Sequence, residues 1–280
     1  VSPVMQISAS GVTTIAATNM TKTDPTHYYY NWTVGTGDGT QTFAMATGTD
    51  VGANVVIATP TSGATIAVDN TAPTVPTINS ITTPNSDSTP TITGTGITGD
   101  TLTLYSGSDS IGTATVADSI WSITTSTLAD ATHSITAKST DPAGNVSEAS
   151  TAQSVVIDTA GPTAVFSAAT DDVGSVTGAL SSGDTTDDTS LVLSGTNESG
   201  STVQVYNGST LVAAATVSGT SWSYAATIAN GITYQFNVKE TDSAGNVSSA
   251  TTNFTVIGDT TAPTVPTINS ITTPNSDSTP

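Results

Sequence analysis

Residues Thr71 to Pro90 read TAPTVPTINSITTPNSDSTP, and the same string returns letter for letter as Thr261 to Pro280. Chance does not produce such a repeat, so the chain is read as part of a tandem array. A second, more diverged repeat lies between the two copies. Trp121 and Trp222, Asp141 and Asp242, Asn145 and Asn246, and Asp158 and Asp259 all stand at one offset of 101 residues. A constant offset over so many landmarks means one fold used twice.

Within each unit the apolar residues alternate, as in Leu102/Leu104, Ile135/Ala137, Val203/Val205, Tyr234/Phe236/Val238 and Phe254/Val256. Period two marks half-buried strands, and no stretch carries a helical period. Turn signals such as Thr98-Gly99-Asp100, Asn207-Gly208 and Ala143-Gly144-Asn145 separate the strand-sized runs. Their spacing predicts two-sheet sandwiches of about 90–100 residues. The fold class is therefore all-β: tandem immunoglobulin-like β-sandwich domains forming an extended rod. The boundaries are 1–70, a domain lacking its first strand; 71–160; 161–260, with an acidic insertion; and 261–280, the first strand of a further repeat. Ala72-Pro73, Gly161-Pro162 and Ala262-Pro263 follow short Asp/Thr segments, and proline makes such junctions stiff.

The only basic side chains are Lys22, Lys138 and Lys239 against 22 acidic ones, a formal net charge of −19. A phosphate backbone or an anionic lipid surface would be repelled, which excludes nucleic acid and direct membrane contact as partners. There is no cysteine, so neither disulfides nor thiolate metal sites contribute. No apolar run is long enough for a membrane helix, and no signal-peptide pattern follows Val1, so an export address is expected outside this segment.

DPAGN at 141–145 and DSAGN at 242–246, each preceded by Trp-Ser and followed by Asp/Thr/Pro linkers at 158–162 and 259–263, resemble the bacterial Ig-like repeats of giant adhesins and biofilm-associated proteins of the RTX-adhesin type. The segment from Thr170 to Thr189, leading into LVLSGT, is similar to a version of that repeat with an acidic insertion. Residues 1–70 resemble it more loosely, with DVGAN at 50–54 where the others carry D-x-A-G-N. The resemblance implies an extracellular stalk on the bacterial cell surface whose domains bind Ca²⁺.

Ca²⁺ takes six to eight oxygen ligands, and the sequence concentrates carboxylates and Asn at its turns. In an Ig-like sandwich the B–C and F–G loops share the pole where the chain enters, and the A–B and E–F loops share the other. That geometry brings Asp69 of the first linker toward Asp100, Asp141 and Asn145. At the next junction it brings Asp158 toward Glu198, Asp242 and Asn246, with Asp259 starting the linker after that. Two readings stay open for D-x-A-G-N: a Ca²⁺ clamp, or a plain turn in which Asp makes an Asx-type hydrogen bond and Gly takes positive φ. A separate cluster of Asp171, Asp172, Asp184, Asp187 and Asp188 flanks the glycines of the insertion, and it reads either as a local Ca²⁺ site or as a solvated acidic loop.

Trp32, Trp121 and Trp222 recur once per domain, which points to core packing rather than sugar stacking. Alternation places Tyr28, Tyr30 and Trp32 on one face and Tyr29 on the other. His27 and His133 do not recur, and no nucleophile elbow or phosphate loop is present, so no enzymatic activity is expected. The expected role is a structural stalk or fibre segment of a secreted adhesin or biofilm-matrix protein. Its partners are then neighbouring repeats and, in a fibre, other copies of itself. The alternatives are a ligand- or carbohydrate-binding module and a fibre subunit that associates by strand donation.

Overall fold

The computed structural model describes residues 4–23, 27–49, 55–56, 65–175 and 177–269. Every regular element among them is a strand, and the chain divides into two compact units, Val1–Asp158 and Thr159–Pro280.

The first unit opens with an antiparallel sheet in which Ile15–Asn19, Val4–Ser10, Gly39–Thr49 and Val55–Val56 follow in order, with Thr65–Val68 also pairing Gly39–Thr49. Gln41, fully buried, plugs the turn beneath it: its amide donates to Ser10 O and Thr13 O and its carbonyl accepts Thr13 N–H. Trp32 meets Phe43 edge-on at 5.2 Å. Tyr28, Tyr30 and Trp32 are half-buried while Tyr29 and Asn31 are exposed, as period two requires. The DVGAN segment at 50–54 lies outside the described residues.

The second module in this unit is a two-sheet sandwich. One sheet orders Asp109–Thr115, Thr101–Ser106, Ala131–Thr140 and Gln153–Ile157; the other orders Ile120–Thr124, Thr91–Thr95 and Thr77–Ile78. Burial alternates strictly along Thr91–Thr95 and Ile120–Thr124. The inward residues Ile92, Leu102, Leu104, Trp121, Ile135 and Val155 form one core. Each such side chain contributes about 1.5–3 kcal/mol through burial.

The second unit repeats the sandwich around Leu191, Leu193, Val203, Val205, Trp222 and Phe236. Its sheets order Gly178–Ala179, Val165–Asp171, Ser190–Thr196, Ser221–Thr227 and Thr216–Ser218 on one side. On the other they order Thr185–Thr186, Phe254–Gly258, Thr233–Thr241, Thr202–Asn207 and Thr210–Ala214. The short strand Thr185–Thr186 pairs parallel to Phe254–Gly258 and ties the insertion to the end of the module.

The repeated tryptophans are core residues, 3% and 2% exposed. Each crosses a glycine paired opposite it, Trp121 over Gly94 and Trp222 over Gly195. Their indole N–H groups donate to Thr95 O and Val165 O. A Cβ at Gly94 would lie 1.9 Å from Thr77 O and 2.4 Å from the Trp121 ring, so only glycine admits the indole there.

Candidate functional site

The linker between the first two modules is held from both ends. Asp69 opens it with an Asx turn, its Oδ1 accepting the Thr71 N–H at 3.1 Å. From the first module, Asp38 accepts the Asn70 N–H at 2.6 Å on Oδ1 and the Thr71 hydroxyl on Oδ2. The Asn70 amide donates to Gly35 O and Gly37 O. From the second module, Asn145 Nδ2 donates to Asp69 O at 3.1 Å. The Thr71 hydroxyl, then the Asn70 N–H, hold the Asp38 carboxyl below the ordinary Asp value.

Asn145 reaches the linker because its loop is closed by Asp141. Asp141 Oδ1 accepts the N–H groups of Ala143 and Asn145, and Oδ2 accepts Asn145 Nδ2, each at 2.9 Å. Gly144 takes φ of 97°. Asp242 repeats this arrangement with Ala244 and Asn246, and Gly245 takes φ of 95°. Both D-x-A-G-N segments are therefore Asx-type turns closed by their own asparagine. The Asn145 side chain, followed by the backbone N–H groups, lowers the Asp141 carboxyl against desolvation. At Asp242 desolvation pulls upward and is outweighed by Asn246 and the loop N–H groups together.

Asp69 O and Asp141 Oδ2 only accept, so the NH₂ of Asn145 faces both, and its carbonyl oxygen points elsewhere. Asp158 ends the first unit with its N–H on Asn85 O. Glu198, Asp242 and Asn246 belong to the second unit. The linker leaving that unit is held as the first one is: Asp259 N–H donates to Thr186 O and Thr260 N–H to Asn230 Oδ1, both at 2.9 Å. Asp38 and Asn230 play the same part, and the sequence reading missed both. Each directly precedes a glycine ahead of a long strand, Gly39 and Gly231, which is the signal that marks them.

Asp100 faces inward. It is 3% exposed and its Oδ2 accepts the Ser139 hydroxyl at 2.8 Å. The second unit carries the same pair with the partners exchanged. Ser201, at the position of Asp100, donates to Oε1 of the fully buried Glu240, at the position of Ser139, at 2.5 Å. Glu198, exposed, contributes its backbone N–H to the same oxygen at 2.5 Å. Glu240 was not among the expected site residues, although period two puts it on the inner face with Phe236 and Val238. Glu240 Oε2 and Asn197 Oδ1 are buried with no hydrogen-bond partner.

In the insertion, Asp171 and Asp188 are buried at 3% and 2% exposure, while Asp172, Asp184 and Asp187 are exposed. Asp184 Oδ2 accepts the Ser181 N–H at 2.8 Å and shapes the local turn. Among the described residues no three Asp, Glu or His side chains converge as metal ligands. His133 is held between Ser106 Oγ and Ala129 O, each at 2.9 Å, which fixes it as a structural side chain.

No curated protein matches the sequence. Among solved structures, the fold is similar to the fibronectin(III)-like modules of Clostridium thermocellum CbhA, at 14% identity over 66% of this chain and 94% of that one, TM-score 0.40. It is similar to the BSP domain of a biofilm associated protein, at 16% identity over 82% of this chain and 44% of that one, TM-score 0.25. It is also similar to the FN1–FN3 domains of chicken CNTN1, at 10% identity over 92% and 95%, TM-score 0.36. The sequence profile of the bacterial Ig-like domain matches residues 75–159 and again residues 163–260. With two tandem copies covering more than half of its length, the chain belongs to the bacterial Ig-like domain family.

Proposed function

We propose that this chain is a non-enzymatic, load-bearing segment of a bacterial surface adhesin or extracellular matrix protein. The observation that carries the reading is the linker clasp: Asp38 of one module and Asn145 of the next hold the same stretch, Asp69 to Thr71. A tether built only for reach would leave its linker backbone to solvent. Here backbone and side-chain groups are committed on both sides, as transmission of force between modules requires. Tandem use of one domain family supports the same reading, since a spacer gains from copies. Antibodies against residues 75–260 should label intact bacteria carrying the parent protein, and external protease should remove the label. Labelling that needs permeabilised cells would overturn the surface assignment.

Calcium at the junctions is the finer part of the proposal. Asp69 and Asp141 would supply carboxylate oxygens at the first junction, with Asp158, Asp242, Asn246 and Glu198 at the second. The donor chemistry at the first junction fits an ion less well than a hydrogen-bonded clasp, because Asn145 presents NH₂ and not oxygen. Ion binding there requires the Asn145 amide to turn over. A Ca²⁺ titration followed at the Asn145 side-chain NH₂ resonances decides this. A saturable shift supports the ion, and invariance removes calcium from the junction while leaving the clasp.

A further inference from the structure

The insertion of the second unit buries negative charge without an opposite charge. Asp171 Oδ2 accepts the Thr186 hydroxyl at 2.6 Å and its Oδ1 accepts the Val173 N–H at 3.0 Å. The same Thr186 oxygen accepts the Asp188 N–H at 3.2 Å, and Asp188 Oδ1 accepts the Ser190 N–H at 2.7 Å. The two buried carboxylates are thus anchored to one buried hydroxyl, Thr186 being 1% exposed. Asp188 Oδ2 is buried and accepts nothing.

Carboxylates are seldom fully buried unless paired, because desolvation costs several kcal/mol per ion. The only basic side chain in this unit, Lys239, lies over the Tyr206 ring at 5.4 Å. A third carboxylate, Asp187, stands at the mouth. A Cβ on Gly174 would lie 2.2 Å from Asp187 Oδ2, so this exposed side chain packs over the backbone of the 171–175 arm.

We propose that Asp171 and Asp188 bind a hard divalent cation, with Asp188 Oδ2 as its buried ligand and Asp187 closing the site from solvent. Two buried carboxylates supply the charge that such an ion requires, and carbonyls and water complete its shell. Ca²⁺ suits the irregular geometry of two loop arms better than Mg²⁺, which demands a near-ideal octahedron. This site is independent of the linker clasp and stands or falls separately from it.

The test is a titration of the full chain, freed of metal by chelator, with CaCl₂ and separately with MgCl₂. It is followed at the backbone amides of Val173 and Ser190, which donate to the two carboxylates. Saturable shifts at both amides with Ca²⁺ are expected, and absence of any shift at millimolar Ca²⁺ overturns the proposal. Asp188→Asn retains the acceptor for Ser190 and removes the charge, whereas Asp172→Asn removes the same charge from an exposed neighbour. Asp188→Asn should weaken Ca²⁺ binding at these amides at least about tenfold. It should also slow hydrogen exchange across the insertion in chelator, because the uncompensated charge is gone. Asp172→Asn should leave both readouts near wild type. Equal effects from the two variants would reduce the response to general screening and overturn the site. So would faster exchange in chelator for Asp188→Asn, since that assigns Asp188 a purely structural role. Should Asp188→Asn not fold, Asp171→Asn is read in the same way.

Discussion

The exchanged pair in the two sandwiches makes a quantitative prediction. Asp100 and Ser139 in one module correspond to Ser201 and Glu240 in the other, so the acid stands on opposite strands while its hydroxyl donor faces it. Ser201→Asp alone places a second carboxylate against Glu240, which is fully buried. Two such charges about 4 Å apart at an effective dielectric constant of about 20 repel by about 4 kcal/mol. Loss of the hydroxyl donor adds about 1.5–3 kcal/mol. That is a large share of a domain's total stability of about 5–15 kcal/mol. Adding Glu240→Ser recreates the arrangement of the preceding module and should recover all but about 1–2 kcal/mol. Native-state hydrogen exchange along Thr233–Thr241 reads this unit alone, and 4 kcal/mol corresponds to a loss of protection of about a thousandfold. If Glu240→Ser fails to rescue Ser201→Asp, or if Ser201→Asp costs less than about 1 kcal/mol, the equivalence of the two pairs is refuted.

Other outcomes follow from the same geometry. Hydrogen bonds depress the Asp38 and Asp141 carboxyls, so their contribution is present above the unfolded Asp value of about 3.9 and is lost as pH falls through the lower folded value. Exchange at the Asn70 amide should therefore accelerate only at acid pH, whereas the Thr260 amide, held by the neutral Asn230, should show no such step. Matching acid profiles for the two amides would contradict this. Gly195→Ala puts a Cβ 2.0 Å from Val165 O and 2.7 Å from the Trp222 indole nitrogen. It should destabilise the second unit by about 3 kcal/mol, with a changed Trp222 environment in near-ultraviolet circular dichroism, and unchanged stability would rule out the close approach.

Much of the fold is legible in the alternation. Thr91–Thr95 and Ser190–Thr196 place Ile92, Leu191 and Leu193 inward at period two, and the tryptophans recur because each packs across a glycine of the neighbouring strand. The D-x-A-G-N turn is legible too, since Asp and Gly have local conformational roles that do not depend on the rest of the chain. The clasp is less so: Asp38 meets Asn70 across more than thirty residues, and no local pattern encodes that contact. Glu240 was overlooked because a lone Glu in a polar strand suggests solvent, although its register with Phe236 and Val238 points inward. Asp100, placed at the junction by loop position, turns to Ser139 because it shares the inner face of Leu102 and Leu104.

The central claim is that the first linker is a joint held by side chains and not a free tether. The most direct measurement is ¹⁵N relaxation of the wild-type chain and of a variant carrying both Asp38→Ala and Asn145→Ala. Amides of Gly39–Thr49 and of Ala131–Thr140 should report one rotational correlation time in the wild type and two distinct times in the variant, with hydrogen exchange inside each module unchanged. Identical relaxation in the two proteins would contradict the account, because the modules would then be held together by something other than the clasp.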